Sequence, residues 1–254
     1  MKTSRAVAGI MAIYLVAACG GGASPDGKAL PGSLNAAPAA AGATISGKVS
    51  FSGTAPKATP IKMNADPVCI QNHKGEASTE TVVVNGNGTL KNVFVYVKGD
   101  VPNAPKAPAE PVVMDQKGCQ YLPHVMGIQA GQPLKVLNTD GTLHNVHAIT
   151  KVNQSFNIAM PKFMKEKVMP KGFEKPEQMV KLQCEVHNWM NAWVGVVSHP
   201  YFAVTGDDGS FSLKGLPPGT YEIVAWHEKY GLQTQKVTVT GAETKTQDFA
   251  FKAS

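Results

Sequence analysis

No stretch of this 254-residue chain sustains a helical period, and that limits its fold more than any other feature. Short runs alternate apolar and polar residues instead. Ile45, Gly47, Val49 and Phe51 are spaced two apart, and Val93, Val95 and Val97 are spaced the same way around Phe94 and Tyr96. Period two marks a strand with one face buried. The 25 Gly and 18 Pro supply many turns. The expectation is an all-β protein, long enough for two domains of about 100 residues each.

Order is expected to begin near Thr44, with a first strand that ends at Gly53 and Pro56. Thr81–Val84 reads as a second strand and Val93–Val97 as a third, with a loop over Met63–Ser78 that carries Cys69 and His73. Pro102, Pro105, Pro108 and Pro111 lack amide hydrogens and argue for a linker or boundary. Further strands are expected at Val112–Asp115, Tyr121–Ile128, Pro133–Asn138, around His144, at Met179–Cys184 and at Val194–Val197. Phe156–Pro176 is rich in Lys, Met and Pro and reads as irregular, with room for a short helix. Phe202–Thr205 and Ser210–Leu213 read as a hairpin across Gly206–Gly209. Glu222–Trp226, Lys236–Thr240 and Gln247–Phe251 complete the series.

The N-terminus reads as an export signal. Lys2 and Arg5 precede an apolar run over Ala6–Ala18, too short for a membrane span of about 20 residues. Val16-Ala17-Ala18-Cys19 resembles the lipobox of bacterial lipoproteins, which implies lipidation at Cys19 and a membrane anchor. Residues 20–43, of Gly, Ala, Ser and Pro, read as a flexible linker. Losing Lys2 and Arg5 lowers the formal charge from +6 to +4, which offers no case for nucleic acid. Seven Lys against three Glu between Lys151 and Lys181 read as a solvated loop, or else a docking face for an acidic redox partner. Export places Cys69, Cys119 and Cys184 in an oxidising compartment. If Cys184 binds metal, Cys69 and Cys119 remain to form a disulfide. The rival is a second metal site of Cys69 with His73 and Cys119 with His124.

The chemistry concentrates between His144-Asn145-Val146-His147 and Cys184-Glu185-Val186-His187-Asn188-Trp189-Met190. One thiol, two imidazoles and a weak thioether make a type 1 copper site. The expected donors are Cys184, His187 and Met190 with one histidine of the first segment, His144 or His147. His144 and His147 stand three apart on a strand and point to opposite faces, so only one of them shares the metal. Trp189 and Trp193 are expected to pack over the site. Multicopper oxidases need several His-x-His pairs, and none occurs.

Two families are recognisable in these residues. Tyr121-Leu122-Pro123, Gly131, Val136–Asp140 and His144-Asn145-Val146, with the Cys-x-x-His-x-x-Met spacing over 184–190, resemble the cupredoxins of the amicyanin type. Asn188 and Trp189 depart from that pattern. The resemblance selects His144 over His147. It implies a Greek-key β-sandwich, an Asn145 that fastens the ligand loops together, and electron passage through an exposed edge of His187. Thr205–Leu213 and Leu216–Tyr221 resemble the carboxypeptidase regulatory-like, or prealbumin-like, β-sandwich. The early strands of that family match Gly47–Val49 and Val93–Val97. The implied organisation is a signal over 1–19, a linker over 20–43, and a sandwich split between 44–100 and 198–254. A cupredoxin over 101–197 would be inserted in it. The function implied is electron transfer by Cu(II)/Cu(I), without catalysis, in the cell envelope, with a redox protein such as a cytochrome as partner. The alternatives are copper storage and a carbohydrate-binding or adhesion module.

Overall fold

The computed structural model describes residues 42–64, 66–73 and 77–253. The export segment with Cys19, and nearly all of the 20–43 linker, lie outside the described residues.

Among the described residues the chain is all-β, with seventeen strands and one short helix. It opens with β1 (Ala43–Ser52), α1 (Pro67–Asn72) and β2 (Phe94–Val97). Next come β3 (Val112–Lys117), β4 (Gln120–Leu122), β5 (Val125–Gln129), β6 (Leu134–Asn138), β7 (His144–Ile149) and β8 (Phe156–Met160). Then follow β9 (Glu166–Met169), β10 (Glu177–Gln183) and β11 (Asn191–Val197). The chain finishes with β12 (Phe202–Val204), β13 (Ser210–Leu216), β14 (Gly219–His227), β15 (Gly231–Val239), β16 (Thr244–Thr246) and β17 (Phe249–Lys252).

These strands form four sheets. The first orders β13-β1-β16, with β17 also on β1, and the second orders β12-β2-β14-β15. The third orders β5-β11-β10-β7-β8, and the fourth β4-β3-β6-β9. Strands from both ends of the chain therefore share the first two sheets. The chain leaves this pair near Val101 and returns at Tyr201, and both residues lie in its core. The third and fourth sheets are built wholly from β3 to β11.

Three apolar cores separate the four sheets. Ile45, Val49, Val93, Val95, Phe211 and Ile223 fill the first. Met114, Tyr121, Val136, Val146, Leu182 and Val194 fill the core between the third and fourth sheets. A smaller core of Phe94, Tyr96, Val125, Met179, Val224 and Trp226 joins the two halves. Successive strand residues face opposite ways, so Val93, Val95 and Val97 enter one core while Phe94 and Tyr96 enter another. β2 is buried at every position for this reason.

Several expected elements come out differently. Thr81–Val84 makes no strand, only an isolated bridge from Val84 to Leu90, flanked by bonds from the Lys91 amide to Val83 and from the Asn85 amide to Thr89. The 63–78 loop contains α1, started by the Asp66 cap and by Pro67 in the first turn. Tyr121–Ile128 is broken at Pro123, which has no amide to donate. β4 pairs with β3 in one sheet, and β5 pairs with β11 in another. The segment expected to be irregular holds β8 and β9, in which Phe156, Ile158 and Met160 keep period two. The expected hairpin over 202–213 is a corner: β12 pairs with β2, and β13 with β1. Gly47 lies where β1 passes the backbone of Gln247, whose carbonyl oxygen would stand 2.0 Å from any Cβ there.

Candidate metal centre

β6 ends at Asn138, whose side-chain amide ties down Thr142 and Met160 through their carbonyls. That fixes the turn leading into β7, which begins at His144. β10 ends at Gln183 and hands the chain to Cys184. The Cys184 amide donates to the Met190 carbonyl at 3.1 Å, and the Met190 amide to the His187 carbonyl at 2.9 Å. These bonds fold 184–190 into a closed loop beside the start of β7.

The structure brings His144, Cys184 and His187 together. Their donor atoms lie within 4.8 Å of one another, and all three residues are buried. The two Nδ1 atoms stand 3.0 Å apart, and His187 Nδ1 is 4.0 Å from Cys184 Sγ. The His187 amide donates to that sulfur at 3.3 Å. Met190 is buried in the same loop and closes it through its backbone.

Asn145 fastens the two segments. Its Oδ1 accepts from the Glu185 amide at 2.7 Å and the Val186 amide at 3.3 Å, with Cys184 Sγ also at 3.3 Å. Its amide nitrogen donates to Asn157 on β8. His147 points away and pairs with Glu185 at 2.6 Å on the surface. Trp189 packs on His187 with ring centres 5.0 Å apart. Trp193 does not flank the site; it packs on Trp226 in the core that joins the two halves.

Each imidazole in the group carries a carboxylate on its outer nitrogen. His144 Nε2 is 2.9 Å from Asp140 Oδ2, and His187 Nε2 is 3.2 Å from Asp66 Oδ2. Asp140 also accepts from the Gly118 and Cys119 amides and from Asn72. Burial pushes the Asp140 carboxyl up, but His144 and these amides hold it below the usual range. Burial pulls His144 down, while Asp140 and Cys184 raise it more strongly, to about 9. Burial pushes the Cys184 thiol up, yet His144 and the amides around the sulfur leave it below its ordinary value. Burial and the neighbouring His144 charge hold His187 below the usual histidine value. A neutral His187 thus donates Nε2–H to Asp66 and turns its Nδ1 lone pair inward.

The exposed His187 edge implied by the resemblance is absent. His187 is 2% exposed, because α1 and Asp66 cover its outer nitrogen. Cys69 on α1 is bonded to Cys119 in the β3–β4 turn, S–S 2.06 Å. The rival site with His73 and His124 therefore does not form. His124 bonds instead to Glu228 Oε2 at 2.7 Å and to the Asn191 carbonyl. Asp66 and Asp140 are the site residues that motif spacing did not single out. In the sequence, Asp66 falls inside the expected 63–78 loop, and Asp140 ends the cupredoxin-like Val136–Asp140 run with no role of its own.

A family model of the carboxypeptidase regulatory-like domain matches residues 191–252. The match begins in β11 and covers β12 to β17, the C-terminal part of the first two sheets. No curated protein matches the sequence. Among solved structures, the chain is similar to a copper-containing nitrite reductase from Thermus scotoductus, with 18% identity and a TM-score of 0.32. The alignment covers 39% of this chain and 25% of the reductase, so the chain spans about a quarter of that protein's length. It is also similar to a Cu(I) amicyanin mutant, with 19% identity over 40% of this chain and 97% of that one, TM-score 0.30. An oxidised amicyanin mutant gives 22% identity over 38% and 96%, TM-score 0.30. What the site can do follows from its own donors.

Proposed function

We propose that this chain is a type 1 copper protein of the cell envelope that carries single electrons. One observation supports this most. Two imidazole nitrogens and a thiol sulfur, from segments about forty residues apart, converge in a buried place. Soft sulfur with two nitrogens suits copper, and Met190 would add a weak thioether. The donors present fit the ion in kind and number. Copper bound there would supply a one-electron couple between Cu(II) and Cu(I).

The chain's own groups explain how such a site would work. His144 and His187 would bind through Nδ1, since each Nε2 already faces a carboxylate. Asn145 and the backbone amides hold the sulfur in place. β7 and β10 pair directly, which keeps the two ligand segments fixed while the charge changes. Burial keeps water out of the group. No substrate is turned over in this function. The Lys2–Cys19 segment supports export and a lipid anchor at Cys19, and a redox protein such as a cytochrome would exchange the electron.

Adding Cu(II) to the purified chain should give an intense blue colour, one copper per chain and reversible reduction. Cys184→Ser should stay colourless. A colourless wild-type chain with an intact free thiol removes the proposal. Ready loss of Cu(I) to a mild chelator would point to storage instead.

A further inference from the structure

Asp66 reaches the metal centre from outside the stretch that supplies the donors. Its Oδ1 accepts the Val68 amide at 2.8 Å and so caps α1. Its Oδ2 is left facing His187 Nε2 at 3.2 Å and the Thr142 hydroxyl at 2.8 Å. The cap and the Thr142 bond together aim the carboxylate. Two further ties pin the helix: the Cys69–Cys119 bond, and Asn72 on Asp140 at 3.0 Å. Cys69 Sγ itself lies 3.7 Å from the same imidazole nitrogen.

We propose that Asp66 is a positioning residue of the metal site, holding His187 with Nδ1 turned inward and sealing the ring's outer edge from solvent. Its effect on redox behaviour rests on the copper proposal above; its hold on the ring does not. A histidine has two nitrogens, and the partner of one decides what the other can do. A carboxylate on Nε2 makes Nδ1 the lone-pair donor and a stronger one. Its negative charge is partly buried beside the site, so solvent screens it less than at the open surface. It therefore favours the more positive ion, Cu(II) over Cu(I), and lowers the reduction potential. Asp140 stands in the same relation to His144.

Two variants separate charge from geometry. Asp66→Asn removes the charge but keeps the shape, and its one carbonyl can still accept from Nε2–H if the amide nitrogen takes the place of Oδ1 and gives up the cap on Val68. It should still bind copper, more tightly than Asp66→Ala, at a more positive potential than wild type. Asp66→Ala removes both the charge and the acceptor, and copper affinity should fall about 10- to 100-fold. In the metal-free chain, diethylpyrocarbonate acylates accessible imidazoles. Mapped by mass spectrometry, His187 should react several-fold faster in Asp66→Ala than in wild type. An unchanged potential in blue Asp66→Asn, or unchanged protection of His187 in Asp66→Ala, overturns the proposal. If Asp66→Ala does not fold, the Asn variant's potential decides. If wild type stays colourless, the copper proposal falls, and acylation alone decides the role of Asp66.

Discussion

The ring of Phe94 occupies the space that a side chain on Gly195 would need. A Cβ there would stand 2.3 Å from the ring, and Gly127, paired with Gly195 across β5 and β11, is crowded by Phe202 and Phe94 in the same way. Two facing glycines thus make a seat for aromatic rings from the second sheet. Gly195→Ala should destabilise the protein by about 1–3 kcal/mol through overpacking. Phe94→Ala should cost about 3–5 kcal/mol. Urea unfolding, followed by tryptophan fluorescence, measures both.

Glu177 staples the loop after β7 to β10. Its carboxylate accepts the Lys151 amide at 2.5 Å, and the amide and side chain of Asn153 at 2.9 and 3.0 Å. Burial pushes its carboxyl up, but these bonds win and hold it below the usual value of 4.5. A depressed carboxyl stabilises the fold above its unfolded value and loses that contribution as pH falls through the folded one. Glu177→Gln should therefore be less stable by about 1–3 kcal/mol at neutral pH. The gap to wild type should close well below pH 4.5. Denaturant titrations at several pH values test the sign.

Asn145 and His147 are neighbours on β7 with opposite expectations. Asn145→Ala strands the Glu185 and Val186 amides and loosens the sulfur, so copper affinity should drop about 10- to 100-fold. His147→Ala removes only a partly exposed pair with Glu185 that solvent screens, so stability should change little. Its colour should be unchanged. Loss of colour in His147→Ala would mean that the wrong histidine has been assigned.

The bond between Cys69 and Cys119 closes a loop with a sequence separation of 50 residues. Replacing both with Ser should cost about 2–5 kcal/mol. It should also free α1, so that proteolysis within α1 becomes faster than in wild type. Equal cleavage rates would mean that hydrogen bonds alone hold the helix.

Period two made the all-β architecture legible, and soft donors at Cys-x-x-His spacing pointed to the group that the structure gathers. Strand partners were much harder to read. β1 bonds to β13 and β17, far away in sequence, and local alternation carries no word of that choice. Thr205 and Pro123 turn the chain from one sheet to another, which looks locally like a hairpin or a continuous strand. β8 keeps its apolar period, but the Lys and Pro residues that follow it hide the signal. Asp66 was the least visible of all. It meets His187 across 121 positions, and only packed α1 places it there.

That placement bears on how the molecule can be divided. The proposed donors all lie between β6 and β11, within a stretch that could be cut out and grafted as one block. Asp66 and Cys69 would stay behind, in the part of the chain that opens the other pair of sheets. A graft of residues 112–197 would carry the ligands without the carboxylate on His187 or the thiol partner of Cys119. Its histidine would meet water directly. Two proteins with the same ligand motif could thus differ in redox behaviour according to whether the host surrounding the block contributes an acid at that point.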